Sequence, residues 1–175
     1  MNFPVKYKWM EEMPTPKMWA VAKKHYGVIE RGKNGLINTI LINWWRLLGV
    51  FGRFKNNDFP WCGGFVAIVV KEAGYKPVKD FLGARNWLNY GIQVEHAKWM
   101  DIVVFTRPGG NHVAFVVAQN KENYLCYGGN QSDKVGLAWI AKSRCIGIRR
   151  TPYVSYVPPS LKTLTFDGQL STNES

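Results

Sequence analysis

Cysteine, histidine and acidic side chains are all scarce here. The 175 residues hold 3 cysteines, 3 histidines and 12 carboxylates against 23 lysines and arginines. An odd cysteine count at Cys62, Cys126 and Cys145, without metal-type spacing, argues against a disulfide framework and leaves a zinc site without a ligand cluster. No metal or other cofactor is expected. Cys126 and Cys145 sit in apolar, strand-like surroundings and read as buried structural thiols. Long hydrophobic runs are missing too: the longest apolar segment, 36–50, is too short for a bilayer and contains Asn38, Asn43 and Arg46. The N-terminus has no apolar stretch before a small-residue cleavage site, so no signal peptide is expected. The chain is therefore expected to be made soluble in a cytoplasm and to need help to reach any substrate outside it. Repeats and low-complexity tracts are absent.

What is abundant is apolar and basic. A hydrophobic fraction of 46% with 8 Trp, 8 Tyr and 9 Phe excludes disorder and suits one domain with a real core. The net charge of +11 favours polyanionic surroundings: nucleic acid, an anionic membrane face or the acidic polymers of a bacterial wall. Solubility is the plainer explanation. The basic residues are spread along the chain with no arginine-rich block, so no specific nucleic-acid partner is expected.

Thr15 and Pro16 predict a capped helix over 16–26, stopped at Gly27. Leu36, Ile37, Ile40, Leu41, Trp44, Trp45 and Leu48 recur at helical spacing and predict a second helix with a core-facing stripe. Trp44-Trp45 could alternatively meet a membrane or a ligand. A third helix follows Cys62, with Phe65, Ile68, Val69 and Ala73 inward and Gly74 as its stop. Asp80 is expected to cap a short helix that ends at Gly91. Strands are predicted over 101–105, 113–117, 124–127 and 146–148. Helices first and strands afterwards predict an α+β domain, its antiparallel sheet packed on the cysteine-bearing helix. The domain is read as 1–157, helical over 1–91 and sheet over 99–152. A polar tail over 158–175 is expected to drape or fray.

Chemistry concentrates at three places. Cys62 begins a helix, where the partial positive charge of the N-terminus favours the thiolate. Asp58 is read as that helix's cap more than as a catalyst, Pro60 suits its first turn, and Gly63 and Gly64 are expected to keep the sulfur open. His112 follows the turn Pro108-Gly109-Gly110-Asn111 at the start of an apolar strand, held rigidly yet open to solvent, as a general base requires. His25 and His96 have no such frame and read as structural. Asn130 follows Gly128-Gly129, and its amide oxygen could accept the imidazole N–H and set the ring's tautomer. Gln131 is the neighbouring candidate, and the sequence leaves open which points inward. The Cys62 backbone N–H is the expected oxyanion donor.

The run Pro60-Trp61-Cys62-Gly63-Gly64-Phe65-Val66 with Ala73-Gly74-Tyr75 resembles the nucleophile helix of the NlpC-type and CHAP cysteine peptidases, especially a phage-associated group that includes many endolysins. Further matches follow in order: Ala84-Arg85-Asn86-Trp87-Leu88-Asn89-Tyr90-Gly91, Asp101-Ile102-Val103-Val104-Phe105, His112-Val113-Ala114-Phe115-Val116-Val117, Gly128-Gly129-Asn130-Gln131-Ser132 and Gly147-Ile148-Arg149-Arg150. The resemblance covers about residues 56 to 152 and implies a papain-like fold and cleavage of amide bonds in peptidoglycan. By position it makes Cys62 the nucleophile, His112 the base and Asn130 the orienting residue. The group tends to carry alanines where this chain has Gly63-Gly64, a steric change expected to be tolerated, and often a glycine where it has Asn111. The N-terminal third matches less well.

These features predict a monomeric, cofactor-free peptidoglycan hydrolase, either an N-acetylmuramoyl-L-alanine amidase or a stem-peptide endopeptidase. It would wait in a host cytoplasm and act on the wall, with exposed Trp and Tyr stacking on sugars and a holin-type membrane partner for release. The alternatives are a basic, aromatic-rich binding module for nucleic acid or membrane, and an antibacterial effector amidase.

Overall fold

In a computed structural model, residues 3–32, 35–53, 60–166 and 168–172 are described. Asp58 lies outside them. Three α-helices precede the sheet: α1 (Lys17–Ala22), α2 (Thr39–Leu47) and α3 (Cys62–Glu72). Short 3-10 segments cover Val5–Glu11, Lys23–His25 and Ala84–Asn89 among others. The first helix is shorter than its sequence pattern. It begins after Pro16 with no side-chain cap, and Thr15 bonds back to the Met13 carbonyl instead. α2 starts later than the apolar spacing suggests because the Asn38 side chain accepts from Ile40 N at 2.9 Å and caps it there. Leu41, Trp44 and Trp45 are buried, so the tryptophan pair belongs to the core.

The strands are β1 (Ile92–Gln93), β2 (Ile102–Arg107), β3 (Gly110–Gln119), β4 (Asn123–Gly128), β5 (Gly136–Ala141), β6 (Cys145–Arg150) and β7 (Lys162–Thr163). They form one sheet in the order β1-β6-β2-β3-β4-β5, with β7 paired to β3. All pairings are antiparallel except β3 with β7. The molecule is therefore α+β. Alternation along the strands builds two apolar layers. Ile102, Val104, Val113, Phe115, Leu125 and Tyr127 join α3 in the larger core. Val103, Phe105, Ala114, Val116, Cys126 and Ile140 form the second layer, with Leu161. Every residue of α3 from Cys62 to Val70 is buried, which explains why its sequence is apolar all round.

Two expectations change. Within the segment after residue 157, Lys162–Thr163 join the sheet as β7, pairing with β3 at Ala118 and Gln119, and Leu161 is buried. Further on, Ser171 N bonds to the Trp139 carbonyl and Arg144 to the Ser171 carbonyl. The short helix near residue 84 is 3-10, and Asp80 does not cap it through its side chain. Asp80 instead adopts φ 52° and offers its carbonyl to Asn86.

One ion pair joins the end of β6 to the start of β2. Arg150, at the end of β6, grips buried Asp101 through Nε (2.9 Å) and Nη2 (2.7 Å), and Lys98 N adds a third donor at 2.7 Å. A planar fork against a carboxylate is the geometry in which arginine is strongest.

Candidate active site

α3 begins at Cys62 because Trp61 occupies the cap position. It makes no side-chain capping bond, and its indole N–H reaches Glu30 at 3.2 Å. Pro60 therefore precedes the helix rather than entering its first turn. Gly63 and Gly64 do not keep the sulfur open. A Cβ on Gly63 would run into the Phe81 carbonyl oxygen and stand 2.7 Å from that of Leu82. One on Gly64 would meet the Trp45 ring. Glycine is needed there because the 81–82 backbone and an indole press against the start of the helix.

The Cys62 side chain is 2% exposed. Burial pushes its thiol up, and this outweighs the expected effect of the helix end. The opposing influences are the backbone donor of Val113, that of Gly63, the Arg107 charge and the Cys62 amide itself. The resting group is thus a thiol. Val113 and Cys62 belong to the same core, and the strand register leaves the Val113 end of β3 beyond the pairing with β4. Pairing of β3 with β4 begins at Phe115 and Tyr127, whereas residues 110–114 pair with β2.

His112 is 1% exposed, so it is enclosed rather than open to solvent. Its Nε2 stands 3.2 Å from Gln131 Oε1. The tautomer follows from Gln131's other bonds. Gln131 Nε2 donates to the carbonyls of Gly136 (2.7 Å) and Cys126 (3.3 Å). Carbonyls only accept, so the amide nitrogen must face them and the amide oxygen must face the ring. That oxygen in turn needs a donor, which places the imidazole proton on Nε2 and leaves Nδ1 as the basic nitrogen of the neutral ring.

The amide that meets the ring therefore belongs to Gln131, not Asn130. Asn130 is buried but bends the chain with φ 57°, and Ser132 (φ 53°) and Asp133 (φ 56°) continue in the left-handed region. Three such residues in a run of four are strained backbone, held only where neighbours over-determine it. Those neighbours come from the N-terminal segment: Glu30 N bonds to the Asp133 carbonyl at 2.7 Å, and Val135 N to the Val28 carbonyl at 2.8 Å. Glu30 thus links the Gln131 loop and, through Trp61, the start of α3. Gly128 makes room for the amide, since a Cβ there would stand 2.9 Å from both Gln131 Oε1 and the Ala114 methyl.

Sequence reasoning missed the roles of Arg107, Glu30 and the Val113 amide. Only the Pro-Gly-Gly turn beside Arg107 hinted at its place. His25, read as structural, packs edge-on to Trp44 and 3.5 Å from Glu72. Cys126 is buried and Cys145 half-buried, and all three cysteines are free thiols. No cluster of metal-ligating side chains occurs among the described residues. No helix among them is long and apolar enough to cross a membrane.

Comparison with protein-family models, curated proteins and solved structures finds no match.

Proposed function

We propose that this chain is a cysteine-dependent amide hydrolase of the papain-like NlpC/CHAP type, acting on bacterial peptidoglycan in the manner of a phage endolysin. One observation carries the reading: the Gln131 amide, locked by two carbonyls, holds His112 with Nδ1 basic, next along β3 to Val113, which shares the larger core with Cys62. A buried thiol with raised affinity for its proton needs such a base.

The mechanism follows from these groups. His112 Nδ1 takes the Cys62 proton as sulfur attacks the substrate carbonyl, giving a tetrahedral oxyanion. The backbone amides at the start of α3 are the donors available to that oxygen. Collapse breaks the C–N bond, and the imidazolium delivers its proton to the leaving amine. Water, deprotonated by the same nitrogen, then releases the acyl group from sulfur. Gln131 is a positioning residue, since it fixes the ring and stabilises the imidazolium without touching substrate. The Arg107 charge favours the thiolate form.

The proposed sugar contacts need revision. Seven of the eight tryptophans are buried and the eighth, Trp9, is partly covered, with Lys162 over its ring. Tryptophan stacking is therefore not the means of glycan recognition. The basic surface remains suited to an anionic wall.

Purified protein and Cys62→Ala are compared on isolated peptidoglycan, following turbidity and released amines. The expected result is clearing by the parent and a loss of at least about a thousandfold in the variant. Equal clearing by both would sink the reading. Mass spectrometry of the soluble fragments distinguishes an amidase, which frees L-Ala amino groups, from an endopeptidase, which cuts within the stem.

A further inference from the structure

α2 buries one stripe and leaves large apolar side chains outside it, chiefly at its C-terminal end. Ile40 (40%), Leu47 (54%) and Phe51 (49%) are exposed on and just after the helix. Soluble surfaces seldom expose large apolar side chains in a row. Arg46 lies over the Phe51 ring at 5.1 Å, so a cation shares that surface. The same end of α2 adjoins a cavity of about 630 Å³ lined by Leu48, Lys71, Tyr75, Lys76, Lys79 and Phe81, with others. Lys71 Nζ donates to the Leu47 carbonyl at 2.6 Å and ties the cavity wall to the helix end. Asp80 is the one carboxylate among the described residues lining it.

From these juxtapositions we infer that the end of α2 and the adjoining Lys71–Lys76–Lys79 cavity form a peripheral docking site for an anionic lipid bilayer. Charge complementarity selects the occupant. An apolar partner alone would leave three lysines and Arg46 without counter-charges, and a soluble polyanion would leave Leu47 and Phe51 in water. A bilayer surface offers anionic headgroups above an apolar layer, matching both at once. The chain's net charge of +11 adds long-range attraction of the same sign. Leu47 and Phe51 would enter the headgroup boundary while the lysine stems lie along it with their ammonium groups outward. The binding is independent of the hydrolase reading, because none of these side chains belongs to the Cys62 site.

The test is co-sedimentation with vesicles of phosphatidylglycerol and phosphatidylcholine against phosphatidylcholine alone, using the full chain. Binding to the anionic vesicles only, weakened by salt, is expected. Leu47→Gln with Phe51→Gln, and separately Lys76→Glu with Lys79→Glu, should each reduce it by about tenfold or more. All four positions are exposed, and thermal melting should stay at the parental level. Equal binding to both vesicle types, no binding, or undiminished binding by the variants overturns the proposal. Capture by polyglutamate without vesicle binding also overturns it, in favour of an acidic protein partner.

Discussion

At the residue scale the site turns on which atom of which amide faces His112. Gln131 is specified by its three bonds together, and removing the side chain takes away the bond that sets the ring's tautomer. Gln131→Ala is therefore expected to lower kcat by about a hundredfold with KM little changed, and to move the pH–rate profile. A merely structural loss would reduce the active fraction without moving the profile, so titrating active sites with a thiol reagent and measuring rates across pH separates the two. The sequence narrowed the orienting residue to two neighbours and could go no further. In a run of left-handed residues, side-chain direction depends on φ and not on strand alternation. Cys62 likewise illustrates competing effects: the helix end is where the sequence places it, yet burial has the larger influence on its proton.

At the element scale the informative position is the first turn of α3. Its glycines are legible as a signal but not as a cause, because the backbone they accommodate comes from residues 81 and 82. An added methyl at Gly63 must displace main-chain carbonyls rather than the end of a flexible side chain. Gly63→Ala is expected to destabilise the fold by about 2 kcal/mol, measured as a lower urea midpoint with unchanged slope. It should also disturb the bond from the Trp87 indole to the Phe81 carbonyl, visible in tryptophan fluorescence. The strands containing Ile102, Val113 and Leu125 were legible from dense β-branched and apolar runs. β5, with sequence Gly-Leu-Ala-Trp-Ile-Ala, was not, since alanine and glycine dilute its pattern. β7 was missed because a two-residue strand has no periodicity to read.

At the scale of the whole molecule, the N-terminal segment supports the Gln131 loop and the start of α3 from outside. His25 shows how this couples stability to pH. Burial lowers its proton affinity below the ordinary 6.5, and the Glu72 carboxylate opposes this from 3.5 Å without overcoming it. A lowered value in the folded state means that the unfolded chain binds the extra proton first. The neutral histidine's contribution is therefore present above about pH 6.5 and is lost as pH falls through the lower, folded value. Melting temperature is expected to fall as pH drops from 7 to 5, and more steeply for the parent than for His25→Gln. Parallel curves for the two proteins would show that another group governs the decline.

The sequence by itself determined the helix-then-sheet order, the amphipathic α2 and the positions worth testing at Cys62 and His112. These depend on local spacing and on residue types that have few other uses in such a frame. The tertiary structure alone decided that Gln131 is the amide that meets the His112 ring, that Gly63 and Gly64 admit neighbouring backbone and an indole, and that Glu30 links the Gln131 loop to the start of α3. The physical reason is common to all three. Each depends on groups that the fold brings together, whether the strand carbonyls flanking the Gln131 loop, the 81–82 backbone and Trp45 ring, or Asp133 and Trp61 beside Glu30, and their placement is not written in any local pattern of side chains.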